Sequence, residues 1–263
     1  MEDLVLRHDS GHVARLTLND PTRFNVLSLE MIDALAEAFR QIESDEHIRA
    51  VILSAHGKAF SVGHDLRQMQ ASRSDEDAGR AAFERLFSRC AGMMQMIPAL
   101  PQPVIAEVQG IATAAGCQLV AACDLAVAAE TARFGVNGVD IGLFCSTPMV
   151  ALTRAVPAKA AFELLVTGDF IDAERAQQLG LISRVVPAAG LSDEAMRLAQ
   201  KIATKLPAAV RMGKRAFHDQ LRLGLSDAYD SASGTICENL MLPDTNEGIS
   251  AFLEKRKPAW ASD

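Results

Sequence analysis

Val104-Ile105-Ala106-Glu107-Val108-Gln109-Gly110-Ile111-Ala112-Thr113-Ala114-Ala115-Gly116-Cys117-Gln118-Leu119-Val120-Ala121-Ala122-Cys123-Asp124-Leu125-Ala126-Val127-Ala128 is the stretch that decides the fold. It opens on an apolar run of strand length and passes through a crowd of small residues. It then reads as helical over 119–123 and returns to a second apolar run over 125–128. A strand-then-helix cycle of this kind is the repeating unit of an α/β body.

Working outward from it, the N-terminal part reads as a hairpin, then a helix, then a strand. Leu4-Val5-Leu6 and Val13-Ala14-Arg15-Leu16-Thr17-Leu18 flank Ser10-Gly11, and Asn19-Asp20-Pro21 ends the second run. Ser28 begins an amphipathic helix in which Met31, Leu35, Ala38, Phe39 and Ile42 recur at helical spacing. Ala50-Val51-Ile52-Leu53 is a strand, and Gly57-Lys58 turns it. Ser72-Arg73-Ser74-Asp75-Glu76-Asp77 is polar and expected to be mobile; a helix follows as far as Met96, ended by Pro98, Pro101 and Pro103. On the C-terminal side, Thr147 reads as a helix cap with Pro148 at the first helical position. Residues 181–186 read as a strand closed by Pro187. After Leu191 the pattern is helical, punctuated at Pro207, Gly224 and Pro243. The expected organisation is an α/β core over 1–204 and an all-helical region over 205–263.

Composition narrows the function. Of the 263 residues 49% are hydrophobic and 22% charged, an ordinary balance for a folded soluble protein. A net charge of −7 argues against nucleic acid, which needs a basic face. One Trp and one Tyr offer no base-stacking platform. Cys90, Cys117, Cys123, Cys145 and Cys237 are scattered and odd in number, so reduced thiols are expected and neither a disulfide framework nor a zinc site is. No apolar run reaches the roughly 18–20 residues of a membrane helix, and the early acids of the N-terminus do not read as a signal peptide. The expectation is a cytoplasmic protein with no membrane partner and no metal. His8 and His12 flank the hairpin turn, and His47, His56 and His218 have no Asp, Glu or His partners at ligand spacing.

Two stretches concentrate small residues where backbone must approach something closely: Ala59-Phe60-Ser61-Val62-Gly63-His64-Asp65-Leu66 and Gly110-Ile111-Ala112-Thr113-Ala114-Ala115-Gly116-Cys117-Gln118. Each leads into a helix, whose first N–H groups are unpaired and suited to an anion or an oxyanion. The competing reading is close helix–strand packing. Gly110 and Gly116 do not form the glycine fingerprint of dinucleotide folds.

Taken in order, AFSVGHDL (59–66), VQGIATAAGCQLVAACDLAVAAETARFG (108–135), VDIGLFCSTP (139–148), VTGD (166–169), the AxxLGLISRVVP pattern (176–187) and EGISAFLEKRKPAW (247–260) resemble the crotonase superfamily, the enoyl-CoA hydratase/isomerase family. The resemblance covers nearly the whole chain; GHDL, AAGCQL and IGLFCSTP are most similar to its enoyl-CoA hydratase domain-containing protein 3 subgroup. It implies a ββα spiral core and a C-terminal helical oligomerisation region that builds a homotrimer or a dimer of trimers. Leu221, Leu225, Tyr229, Ile236, Leu240, Ile249 and Phe252 would supply the apolar surface. It further implies a coenzyme A thioester as substrate, with no covalently bound cofactor, and two backbone N–H groups that polarise the thioester carbonyl. By position these belong to His64 and Ala115.

Coenzyme A is then expected along Arg23, Phe24 and Val26, along Ala59, Phe60, Ser61, Gly63, Asp65 and Leu66, and beside Ile111, Ala114, Gly116, Val139 and Phe144. Arg23 would meet phosphates or remain a solvated loop cation. Lys255, with Arg256 and Lys257, would reach a neighbouring subunit's nucleotide or simply complement a helix end.

The family's two hydration glutamates fall here at Gln118 and Gly138. An amide takes no proton near neutral pH, and each lost acid–base group is worth about 10²–10⁴ in rate. Asp140 is the nearest remaining carboxylate; if 139–141 is extended it faces the same way as residue 138. A cap or an ion pair is its alternative role. Met93, Met94 and Met96 read as core or as an acyl-chain wall, and Glu107 as solvent-facing or buried with a partner. Three functions fit: an enoyl-CoA hydratase, a CoA-thioester hydrolase or decarboxylase, and a non-catalytic acyl-CoA-binding protein.

Overall fold

A computed structural model describes residues 3–260. The chain starts with strands β1 (Val5–Ser10) and β2 (Val13–Leu18), which form the expected antiparallel hairpin. Helix α1 (Leu29–Glu43) begins where Ser28 accepts a hydrogen bond from the Met31 amide, and it buries Met31, Ile32, Leu35, Phe39 and Ile42. β3 (Ala50–Ala55) leads directly into β4 (Ala59–Ser61), followed by α2 (Leu66–Ser72) and α3 (Arg80–Ala99). The next cycle is β5 (Val104–Val108), β6 (Ile111–Thr113) and α4 (Ala115–Ala122). The third is β7 (Leu125–Ala129) and β8 (Arg133–Gly135), then a short 3₁₀ turn over 137–141, α5 (Ser146–Ala155) and α6 (Ala158–Thr167). β9 (Ile171–Asp172), α7 (Ala173–Leu179), β10 (Arg184–Val186) and α8 (Leu191–Ala203) complete the core. α9 (Pro207–Gln220), α10 (Leu225–Leu240) and α11 (Pro243–Leu253) form the helical tail.

Each cycle places one strand in each of two sheets before its helix. The larger sheet has the order β1-β2-β3-β5-β7-β10, parallel except for the first hairpin; the smaller is β4-β6-β8-β9. The corner between them is tight. A β-carbon on Gly110 would lie 2.0 Å from the carbonyl oxygen of Lys58, so no side chain fits where β5 turns into β6.

Both faces of the large sheet are covered, which is why β3 runs apolar from Ala50 to Leu53, with buried Ser54 paired to Thr17 at 2.9 Å. Val51 and Leu53 join the main core with Leu35, Phe39 and Ile97. Ala50 and Ile52 face the other way, with Ile105 and Val127, against Leu191, Ala195 and Leu198 of α8. On that face Glu107 meets Arg15, whose guanidinium also donates to Ser192 at 3.1 Å. Met93 and Met94 are core residues, with Met96 packed against the same cluster.

Four local expectations change. Pro98 does not end α3 but sits in its last turn, where the helix closes with the Leu100 amide on the Met96 carbonyl. The 72–77 segment is held by turns rather than free, and Asp77 accepts from the Gly79 and Ala81 amides at the head of α3. α5 starts at Ser146, so Pro148 lies inside its first turn rather than leading it. Only Arg184–Val186 of the 181–186 run is strand, because Leu181 closes α7 by donating to the Ala176 carbonyl.

The tail is clamped to the core through one buried cation. Lys214 Nζ donates to the carbonyls of Ile97 and Gln102 at 2.8 and 2.9 Å and to Asp124 Oδ2 at 2.7 Å. His218 meets the other Asp124 oxygen at 3.1 Å.

Candidate active site

The two small-residue stretches meet head to head. Gly63 has φ +87°, and a β-carbon there would lie 2.9 Å from Ala114 Cβ and 3.1 Å from the Ala115 amide nitrogen. A β-carbon on Gly116 would lie 2.1 Å from the Ser61 carbonyl oxygen. Only glycine lets the end of β4 and the start of α4 approach this closely, and the approach sets Gly63, the residue before His64, against the Ala115 amide nitrogen. Among the described residues neither the His64 amide nor the Ala115 amide donates to a protein acceptor. Ala115 is the first residue of α4, where an N–H has no partner within the helix. Ala114, at φ 50° and ψ −121°, holds a backbone region that favours glycine, fixed by its amide on the Gly135 carbonyl at 3.0 Å. Strain of about 1–3 kcal/mol at such a residue persists where neighbours over-determine it, and it clusters at functional sites.

The surrounding loop is tied down by residues that composition did not single out. Asn25, buried with φ 53°, accepts from the Asp20 amide and donates to the carbonyls of His56 and Ala59, each at 2.9 Å. Gln109 donates to the Ala55, Gly57 and Ala59 carbonyls. Thr113 donates to Asn137 at 2.6 Å, linking β6 to the 137–141 turn. The only sequence signal was an Asn or Gln set between Gly- or Pro-rich turns. Leu27 donates to the Gly63 carbonyl at 2.7 Å and bridges to His64, which seats the 21–27 loop across the site.

His64 is half-buried; Nδ1 lies 3.1 Å from the Leu27 carbonyl, and the ring meets Phe87 edge-on at 5.3 Å. Burial holds its pKa below the ordinary histidine value. Gln118 is buried on α4, one turn beyond Ala115. Burial also pushes the Cys90 and Cys117 thiols up to about 12, which keeps them protonated.

Several expected ligand contacts change place. Ala59, Phe60 and Ser61 are buried, with Phe60 in the main core, so they present backbone rather than side chains. Gly63 and Gly116 act through close approach. Arg23 is engaged by Asp20 at 2.8 Å and Asp65 at 3.1 Å; a phosphate would have to compete with both carboxylates. Asp65 also caps α2 through the Arg67 and Gln68 amides. Phe24, Leu66, Ile111 and Phe144 are exposed, and Val26, Ala114 and Val139 are half-buried. Lys255 lies just past the end of α11, beside Arg256, whose guanidinium is taken by Glu247 and Glu254.

Asp140 does not share a face with residue 138, because Asn137–Ile141 is a 3₁₀ turn and not extended. Its carboxylate is exposed and lies over Gly168 at the end of α6, where a β-carbon would come within 2.8 Å of Oδ1. Position 138 is also closed: a β-carbon there would lie 2.3 Å from the Leu143 carbonyl and 2.8 Å from Cys145 Sγ.

A spiral of ββα cycles, with two small-residue stretches meeting at the head of a helix, is the crotonase fold. The chain belongs to the enoyl-CoA hydratase/isomerase family, whose model matches residues 8–263. It is 45% identical over 251 residues to the human mitochondrial enoyl-CoA hydratase domain-containing protein 3, covering 95% of this chain and 81% of that one. It is 38% identical to a putative enoyl-CoA hydratase of Thermus thermophilus, covering 97% and 99% of the two chains. A solved enoyl-CoA hydratase of Mycobacterium smegmatis superimposes with a TM-score of 0.94 at 52% identity, over 98% of this chain and 99% of that one. The solved human domain-containing protein 3 gives 0.93 at 44%, over 98% and 100%. The vertebrate relatives are named mitochondrial, which overturns the expectation of a cytoplasmic location. Among the described residues no helix is long and apolar enough to cross a membrane, and no cluster of three metal-ligating side chains occurs.

Proposed function

We propose that this protein binds a coenzyme A thioester and polarises its carbonyl between the backbone N–H groups of His64 and Ala115, without ordinary enoyl hydration. The observation that supports this is the close contact of Gly63 with Ala114 and Ala115, beside which the amides of His64 and Ala115 have no protein acceptor among the described residues. Such a donor is worth about 10²–10³ in rate when charge develops on the oxygen it holds. The acids for hydration are another matter. Gln118 is an amide, position 138 has no room for a side chain, and Asp140 lies over Gly168. The carbonyl-activating half of the family's chemistry remains, and the water-activating carboxylates do not. That balance favours thioester hydrolysis or decarboxylation, or acyl-CoA binding alone, over hydration.

Calorimetric titration with a short acyl-CoA should give measurable affinity. Crotonyl-CoA should lose its enoyl absorbance at least about 10³-fold more slowly than with a family hydratase, because one acid–base group is worth 10²–10⁴. No acyl-CoA binding, or brisk crotonyl-CoA hydration, overturns the reading.

The working unit is a homotrimer or a dimer of trimers assembled through residues 205–263. Leu221, Leu225, Tyr229, Ile236, Leu240, Ile249 and Phe252 are all exposed along α9–α11, large apolar side chains that such an assembly would cover. Sedimentation at micromolar concentration should show no stable monomer; a monomer contradicts the assembly.

A further inference from the structure

Lys214 of the helical tail sits where the far ends of three core helices meet. Among the described residues of α9 only Lys214 is fully buried. The three N–H groups of its ammonium meet three oxygens: the Ile97 carbonyl at 2.8 Å, the Gln102 carbonyl at 2.9 Å and Asp124 Oδ2 at 2.7 Å. Ile97 lies in the last turn of α3, where carbonyls have no partner within the helix. The Gln102 side chain donates in turn to the carbonyl of Ile42, in the last turn of α1, at 2.9 Å and to that of Asp45 at 3.2 Å. Asp124 follows the end of α4 by two residues. It accepts from the Val104 amide, which opens β5, at 2.7 Å and from His218 of α9 at 3.1 Å. The C-terminal ends of α1, α3 and α4, the ends that favour positive charge, are thus gathered around one tail cation.

The opposite end of α4 carries the Ala115 amide. With 8 residues, about 12 Å at 1.5 Å per residue, α4 moves as one piece. Its head is held at Gly116 against Ser61 and at Ala114 by the Gly135 carbonyl. Both contacts fall within one turn, so the helix axis can still tilt about them. Holding the far end removes that freedom. We infer that Lys214 is a positioning residue for the carbonyl site: through Asp124 it fixes the axis of α4, and with it the direction of the Ala115 amide. The inference rests on the carbonyl-polarising reading above. Because Lys214 belongs to α9, the docking of the tail and the geometry of the site are set together.

The test uses the full chain and reads calorimetric affinity for butyryl-CoA and for its thioether analogue, in which a methylene replaces the C=O, beside urea midpoints. The two ligands differ only at the carbonyl, so the ratio of their affinities reports the amide donors and not the rest of the pocket. Lys214→Met should cut that ratio by about 2- to 12-fold, the worth of one hydrogen bond, while thioether affinity stays within a few-fold of the wild type. If Lys214→Met does not fold, because Asp124 is left as a buried unpaired charge, Lys214→Met/Asp124→Asn removes both charges and should cut the ratio by the same factor. A lowered urea midpoint with an unchanged ratio would make Lys214 a structural residue only and overturns the inference, as does an equal loss of both affinities. A wild type that binds the two ligands equally refutes the carbonyl-polarising reading itself, and the inference falls with it.

Discussion

A β-carbon on Gly116 would lie 2.1 Å from the carbonyl oxygen of Ser61, so the start of α4 and the end of β4 touch through bare backbone. That contact sets where the Ala115 amide points. Gly116→Ala must push the two elements apart, and overpacking of this kind costs about 1–3 kcal/mol or more. Chemical denaturation should show that loss, and acyl-CoA affinity should fall with it. A variant of wild-type stability and affinity would show that the contact does not define the site.

Asp140→Asn should leave any turnover unchanged, because the Asp140 carboxylate is exposed over Gly168. Gly138→Glu should not restore hydration, since its β-carbon meets the Leu143 carbonyl at 2.3 Å. Gln118→Glu places a carboxylate at a buried position on α4 and should raise crotonyl-CoA hydration by up to about 10²-fold, the lower worth of one acid–base group. Hydration restored by Gly138→Glu alone, or turnover lost in Asp140→Asn, contradicts this placement.

His64 also leaves a mark on stability. Its folded pKa lies below its unfolded value near 6.5, so the unfolded chain takes up a proton first as pH falls. Its contribution is full above that value and is lost as pH drops toward the folded pKa. Urea midpoints from pH 8 to pH 5 should therefore decline more steeply for the wild type than for His64→Asn. Parallel declines would mean that the ring is not held neutral by burial.

The long elements were legible because their patterns are physical. The spacing of Met31, Leu35, Phe39 and Ile42 and the Ser28 cap located α1, and Pro207, Gly224 and Pro243 marked the tail helices where they start. The paired glycine-containing stretches were legible as places of close approach, and the structure brings them together. The small sheet was not legible: β4, β6 and β8 have three residues each, too few for any period to show. Nor was the turn over 137–141, whose φ/ψ depend on the Asn137 contact with Thr113 and on the Gly142 amide closing onto Val139. That turn is what removed Asp140 from the site. Asn25 and Gln109 were missed because their work is tertiary, tying carbonyls from distant strands.

The central claim is that two backbone amides hold a thioester carbonyl, and the most direct measurement removes the carbonyl rather than the protein. Calorimetry should compare butyryl-CoA with its thioether analogue, in which a methylene replaces the C=O, on the unmodified chain. Two hydrogen bonds at about 0.5–1.5 kcal/mol each predict a thioester preference of roughly 5- to 150-fold. Equal affinity for the two ligands would contradict the account.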